Sequence, residues 1–395
     1  MVISTHPVQY HAPVYREVER LGLPITAIYG SDFSVAGYHD REFDVEFSWS
    51  TDLLSGYSTV FLSRIAEGGA TSADSTSAWR LSKALRQISP AAILVTGYWP
   101  AFFRQAILQL LLRRQRILFR AETTDHARRR SRVLSSTRNL VLERFYEYCS
   151  SLLYIGERSR EHFERLGAAT REMFFSPYCV DASVFESNEE ARERLRTSTR
   201  EELEISPDKV VLVFAGKLVF RKGPDLLAEA IRGMPAELKD RLVIIFLGDG
   251  QMRPMLSAHL SPGITRFVGF KNQNQLSRYY HAGDALVLPS RSGETWGLVV
   301  NEALLHGLPC VVSADVGCAP DLVIPGLTGE VFDTGSAASL RDALVRLLAW
   351  QLKNAGIRER CRRQVDRFSV NAAATGIIAA FEAALGAKSE STFSG

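Results

Sequence analysis

The chain has 395 residues, too long for one ordinary core and suited to two domains of roughly 100–200 residues each. Its 46% hydrophobic, 23% charged and 10% aromatic residues exclude a disordered or fibrous chain, since apolar surface is ample to offset the entropy of ordering. The balance of 47 Lys+Arg against 44 Asp+Glu, a net charge of +3, gives no general sign of nucleic-acid binding.

In chain order, strand-like runs fall at Val2–Thr5, Pro24–Tyr29, Ala92–Thr96, Arg116–Ala121 and Leu152–Ile155, with helical stretches at Ser77–Gln87 and Arg158–Leu166. The charged stretch Glu186–Glu204 reads as connector and helix. Cleaner strands follow at Val210–Gly216, Leu242–Leu247, Thr265–Val268, Ala285–Pro289 and Cys310–Ser313, with helices at Gly223–Arg232, Gln251–Leu260, Asn274–His281 and Gly297–His306. The runs are mostly Val, Ile and Leu rather than alternating. Such strands are buried on both faces, which means parallel sheets in an α/β protein, one sheet per half. Pro177 breaks local structure at Ser176–Phe185 and places the boundary there, giving domains 1–180 and 181–369. The small, polar tail Lys388–Gly395 is expected to fray.

Cys149, Cys179, Cys310, Cys318 and Cys361 are scattered and form no CxxC pair, which excludes a disulfide scaffold or zinc ribbon and suggests a reducing, cytoplasmic compartment. The longest uncharged stretch, Gln87 to Phe103, contains Pro90 and Pro100 and reads as strand plus turn, so no membrane-spanning helix is expected. Met1 leads directly into Val2–Thr5, and no signal peptide is expected.

The strongest chemical signal is Ser292-Gly-Glu294-Thr-Trp296-Gly297-Leu298-Val299-Val-Asn-Glu302, between a strand and an apolar helix. Glu294 falls in the loop and Glu302 one to two turns into the helix. Trp296, Gly297, Leu298 and Val299 offer backbone N–H groups at the helix N-terminus, where unpaired donors and the helix dipole favour an anion. A carboxylate one turn on suits the two hydroxyls of a ribose. An ordinary acidic N-terminus with a solvent-facing glutamate fits the same residues. A second element, Gly216-Lys217-Leu-Val-Phe-Arg221-Lys222-Gly223, follows another strand with cations that suit a diphosphate; a solvated basic loop is the plain alternative. The third, Gly248-Asp-Gly250, again ends a strand, and open α/β sheets bind ligands at those ends.

With these residues the second half resembles the GT-B glycosyltransferases of the large retaining group called glycosyltransferase family 4. The likeness is strong from Val210 to about Phe332 and weaker over nearly the whole chain. It rests on the E-x7-E pair Glu294 and Glu302, the G-[KR]-L…K-G turn at Gly216–Gly223, Gly248-Asp-Gly250, Val268-Gly-Phe270 and Gly307-x-Pro309. Lys217 stands where the family usually has arginine, and Trp296 where it usually has phenylalanine. The resemblance implies two facing Rossmann-like domains, with a C-terminal helix (370–387) crossing back to the first. It implies that Lys217 and Lys222 neutralise the diphosphate of a nucleotide sugar donor. Glu302 would bind ribose, Val268 and Phe270 would flank the base, and Glu294 would contact the transferred sugar. No metal or other cofactor is implied, and the chain has no DxD motif.

In the N-terminal half, His6-Pro-Val-Gln-Tyr10-His11-Ala-Pro13 follows the first strand and is similar to a loop of bacterial surface-polysaccharide transferases. Its histidines, His11 among them, read either as acid/base or substrate groups or as polar loop residues. Arg120-Ala-Glu122-Thr-Thr-Asp125-His126 carries glutamate at about the position where many family members have histidine near the reacting centre, and His126 offers a substitute. Between Ala101 and Arg144 there are 11 Lys+Arg against 3 Asp+Glu, peaking at Arg128–Arg132. This reads either as a solvated face or as peripheral contact with anionic membrane; without interleaved aromatics it does not point to nucleic acid.

The expected protein is a retaining, metal-independent glycosyltransferase. It moves a sugar from a nucleotide diphosphate sugar to a saccharide or lipid-linked hydroxyl acceptor, in bacterial surface polysaccharide or glycolipid synthesis; it is expected in the cytoplasm, either free there or at the inner face of the membrane. A nucleotide-sugar epimerase or phosphorylase on the same fold, or a non-catalytic nucleotide-sugar-binding protein, are the competing readings.

Overall fold

The computed structural model describes residues 1–40, 45–47, 51–125, 132–167, 172–351 and 356–386. Seven strands form one parallel sheet: β1 (Val2–Ser4), β2 (Thr26–Tyr29), β5 (Ser58–Phe61), β6 (Ile93–Val95), β7 (Ile117–Arg120), β8 (Ser151–Tyr154) and β9 (Met173–Phe175), in the order β5-β2-β1-β6-β7-β8-β9. Between them β3 (Tyr38–Asp40) and β4 (Val45–Phe47) make a small antiparallel pair. Six more form a second parallel sheet: β10 (Val210–Ala215), β11 (Leu242–Leu247), β12 (Thr265–Gly269), β13 (Ala285–Leu288), β14 (Cys310–Ser313) and β15 (Gly329–Phe332), in the order β12-β11-β10-β13-β14-β15.

The apolar runs explain the layering. On β10, Val211, Val213 and Ala215 enter one core, while Leu212 and Phe214 enter the core on the opposite face. On β11, Val243, Ile245 and Leu247 divide from Leu242, Ile244 and Phe246 in the same way. A strand buried on both sides needs helices above and below it, and right-handed crossovers then keep the strands parallel.

The β3–β4 pair and three strands of the two parallel sheets lie outside the sequence reading. β5 is a partly exposed edge strand, β9 is short and only half-buried, and Gly329-Glu330 opens β15 with two poor strand formers. The charged connector is a helix at Glu189–Glu202, and the Asn188 side chain caps it by accepting from the Ala191 N–H at 2.8 Å. By length and composition alone, a window within Ile357–Leu385 passes for a membrane-crossing segment. The stretch is two helices, Ile357–Asp366 and Val370–Leu385. The second sets Ala373, Ala374, Ile377 and Ala380 into the core of the first sheet with Val2, Leu94, Leu118 and Leu153. The polar tail 387–395 lies outside the described residues.

In each sheet the strand order reverses beside a central strand, between β1 and β6 in the first and between β10 and β13 in the second. Ligands of open α/β sheets bind outside the strand C-termini at such reversals. The loops after β10 and β13, which carry the sequence motifs, both stand there.

Candidate active site

A cavity of about 340 Å³ opens between the two domains. From the second sheet it is lined by Gly216, Lys217, Arg221 and Lys222 after β10, and by Glu294 to Val299 after β13. From the first it is lined by Glu122, two residues past β7, and by Tyr178.

The cationic turn is held by its backbone. Gly223 has φ of +70°, and a Cβ there would meet the Pro289 carbonyl oxygen at 2.1 Å. Glycine is thus required both for the left-handed turn and for the close passage of the two loops. Arg291 ties them further: its N–H donates to the Arg221 carbonyl at 2.8 Å, and its guanidinium makes a two-pronged pair with Asp225 at 2.7 and 2.6 Å. Lys222 Nζ contacts Glu294 Oε2, and the same oxygen accepts from the Ser290 hydroxyl at 2.9 Å. Lysine and glutamate are both largely buried, at 16% and 15% side-chain exposure, so the pair is held in partly desolvated surroundings. The sequence assigns these two groups to separate parts of a donor; the structure joins them directly.

The helix Leu298–Leu305 points its N-terminus at the cavity. Its cap is Gly297 at φ +103°, and no side chain caps its first N–H groups. Those donors and the helix dipole are therefore available to an anion. Trp296 is 3% exposed, so its contribution to the cavity is its backbone. Its indole N–H donates to Asn301 Oδ1 at 2.9 Å, and its ring packs against Tyr178 and Phe368.

Glu302 lies outside the cavity lining. It is 6% exposed, and the Tyr280 hydroxyl donates to its Oε2 at 2.5 Å. Burial pushes its carboxyl up to about 7, against the opposing effect of the Tyr280 hydrogen bond. Behind it, His306 bridges the Glu302 carbonyl at 2.7 Å and the Ser277 hydroxyl at 3.0 Å. The plain alternative of a solvent-facing glutamate is thereby corrected: an apolar helix carries this carboxylate inward.

Glu122 does reach the centre. The Thr295 hydroxyl, from the opposite domain, donates to Glu122 Oε2. Tyr10 and Tyr178 also interact with this carboxylate, which adds to the effect of burial in raising both phenols. His126 and most of the arginine run, residues 126–131, lie outside the described residues. His11 is corrected from a cleft group to a buried one. It is 6% exposed, boxed by Tyr10, Tyr15 and Tyr178, and neither ring nitrogen has a hydrogen-bond partner. Burial, with nearby Arg120 and His6, holds it well below the usual imidazole range. Gly248 follows β11, Val268 lies on β12 and Phe270 follows it, all beyond the residues lining the cavity.

Thr295, Ser290, Tyr280, Tyr10 and Tyr178 were not legible as site residues. Each is a common polar or aromatic residue with no spacing of its own to read: Ser290 reaches Glu294 from four residues away, and Thr295 meets Glu122 and Tyr280 meets Glu302 only through packing between separate segments.

Paired Rossmann-like domains, with cations, carboxylates and a helix N-terminus at their facing strand ends, define the GT-B class. Residues 196–365 match the family described as glycosyl transferases group 1. The chain is similar to the D-inositol 3-phosphate glycosyltransferase of Geodermatophilus obscurus, 32% identical over 241 residues, which are 58% of this chain and 51% of that protein. It is also similar to the sulfoquinovosyl transferase of Arabidopsis thaliana, 31% identical over 202 residues, 50% of this chain and 37% of that one. The chain thus spans about half or less of the length of these curated relatives. Among solved structures, the sucrose-phosphate synthase of Thermosynechococcus elongatus superposes with a TM-score of 0.72 at 17% identity, covering 98% of this chain and 99% of that one. Anabaena HepE in complex with UDP and glucose gives 0.67 at 15% identity, covering 96% and 97%. At such identities the likeness is one of fold.

Proposed function

We propose that the protein transfers a sugar from a nucleoside diphosphate sugar to a hydroxyl acceptor, with retention at the anomeric carbon and without a metal. The reading is carried by the cavity: Lys217, Arg221 and Lys222 surround an uncapped helix N-terminus, with Glu294 beside them. As the glycosidic bond breaks, negative charge grows on the departing diphosphate. Fixed cations and oriented N–H groups stabilise that charge more than the ground state, and partial exclusion of water strengthens them.

An incoming phosphate competes with Glu294 for Lys222. Exchange of that partner leaves the carboxylate, still held by Ser290, facing the sugar, where it accepts ring hydroxyls and steadies positive charge at the ring. Glu302 is kept as the group for the ribose hydroxyls, a role that requires donor binding to uncover a carboxyl that lies buried against Tyr280, outside the cavity lining. Glu122 meets the acceptor side of the reacting centre. The free, buried cysteines suit a reducing, cytoplasmic compartment, and the acceptor is read as a precursor of a polysaccharide or glycolipid.

The test is calorimetric titration with nucleoside diphosphates, followed by assay of released nucleoside diphosphate from a panel of nucleotide sugars with and without EDTA. Nuclear magnetic resonance of the product then reads the anomeric configuration. Absence of binding to every nucleoside diphosphate would overturn the reading; conversion of the donor without any acceptor would favour an epimerase.

A further inference from the structure

On the outer face of the first domain, the helices Ala101–Leu112 and Arg132–Tyr148 flank an open cavity of about 900 Å³. Its floor is apolar, with Ile107, Leu111, Leu142 and Phe145. Six of the eleven exposed large hydrophobic side chains among the described residues belong to these two helices and the turn before the first: Trp99, Leu108, Val141 and Tyr148 line the cavity, and Leu112 and Leu140 stand exposed on the same helices. Leu112 is 77% exposed, Val141 68% and Trp99 66%. Scattered exposed leucines need no explanation, but a contiguous patch of this kind marks an interaction surface.

The rim is cationic. Arg104 lies over the Trp99 ring at 4.8 Å, and Arg138 over Tyr98 at 5.6 Å while donating to its hydroxyl at 2.7 Å. Arg113 and Arg114 stand exposed just past the end of the first helix. Against them the two helices carry only Glu143 and Glu147, and Glu147 is paired with Arg144 at 2.8 Å.

We propose that this face docks the protein on an anionic lipid bilayer. Protruding Leu108, Leu112, Leu140 and Val141 reach the acyl boundary. Trp99 and Tyr148 suit the interfacial layer, and the arginines extend toward lipid phosphates. An acidic, apolar protein partner would meet the same charges, but arginine and aromatic residues ringing protruding aliphatics match the layering of a membrane interface rather than a single helix in a groove. Both helices start at the strand C-terminal edge, with Trp99 at that end, so a bilayer along them meets the side on which the Glu122 cavity opens. The surface stands apart from sugar transfer, and its test does not depend on activity.

The experiment is co-sedimentation of the full chain with vesicles of phosphatidylcholine alone and of equimolar phosphatidylcholine and phosphatidylglycerol, at rising salt. Binding to the mixed vesicles that weakens with salt is expected. The exposed triple variant Leu108→Ser, Leu112→Ser, Val141→Ser should keep its circular dichroism and lose binding roughly tenfold or more. Trp99 emission should shift to the blue on mixed vesicles, and Trp99→Phe should remove that shift. Equal binding to neutral vesicles, full binding by the triple variant, or a concentration-dependent dimer abolished by these substitutions without vesicle binding would each overturn the proposal.

Discussion

At the scale of single residues, the proposed chemistry is tested most directly at the Lys222–Glu294 pair. Lys222→Ala removes a cation from beside the growing diphosphate charge and leaves a largely buried carboxylate without its partner. Donor-saturated turnover should fall by about 10²–10³, on the scale of losing one preorganised donor worth roughly 2.7–4 kcal/mol. Lys217→Arg keeps the charge and adds a fork, and its turnover should stay near that of the parent. Survival of Lys222→Ala activity together with collapse under EDTA would assign the diphosphate to a metal. Glu302 makes a second, pH-dependent prediction. Its carboxyl is raised by burial to about 7, above its ordinary value, so the folded state binds the proton more tightly than the unfolded chain does. Its contribution to stability is present below the ordinary carboxylate range and is lost as pH rises toward and through 7. Stability measured by denaturant between pH 5 and pH 9 should therefore decline more in the parent than in Glu302→Gln. Parallel curves would show that the carboxyl titrates elsewhere. Asp321, raised by burial to about 6, declines in the same direction, so the difference between parent and variant isolates Glu302.

At the scale of elements, the helix Val370–Leu385 shows how a small residue sets a packing distance. A Cβ on Gly376 would meet the Phe175 carbonyl oxygen on β9 at 2.0 Å, and backbone cannot give way as a flexible side chain can. Ser176 donates from its hydroxyl to the Ala373 carbonyl at 2.8 Å, and Ser151 to the Ala380 carbonyl at 3.1 Å, along the same contact. Gly376→Ala should cost about 1–3 kcal/mol through overpacking, even though alanine is the better helix former. Thr375→Ala, on the exposed side of the same turn, should be neutral or slightly stabilising. Equal melting temperatures for the two variants would mean that the helix is not held at this distance.

At the scale of the whole molecule, the domains meet through a few specific contacts beside the cavity. Glu122 and Thr295 join across it. The Glu157 N–H, at a helix N-terminus, donates to both oxygens of Asp321 at 3.0 and 3.2 Å, and Arg158 donates to the Val316 carbonyl at 3.0 Å. Gly156 lies against the indole of Trp296; a Cβ there would stand 2.4 Å from Cζ3. Gly156 has extended backbone, so close approach rather than conformation requires it. Gly156→Val should push the domains apart, lower turnover more than donor affinity, and increase the radius of gyration measured by X-ray scattering. Thr295→Val tests the bridge alone and should raise acceptor KM. An unchanged scattering profile and unchanged turnover in Gly156→Val would show that this closed arrangement is not the working one.

The fold class and the loops after β10 and β13 were legible because they rest on local rules. Unbroken Val/Ile/Leu runs specify strands buried on both faces, and glycines, cations and carboxylates at fixed spacing after a strand specify an anion-binding turn. β5, β9 and β15 were not legible, because edge and half-buried strands lack that apolar density. The cores of the site were decided in three dimensions. Lys222 meets Glu294 across 72 residues and Thr295 meets Glu122 across 173, so neither encounter has a spacing to read. Whether Glu302 faces water or the interior, and whether His11 lines the cleft or fills an aromatic box, depends on which side of an element is covered by the rest of the chain. Composition and periodicity determined what this protein is built from and where its sheets would present loops; only the approach of the two sheets' C-terminal edges decided which of those side chains meet, because burial and pairing arise when distant surfaces exclude the same water.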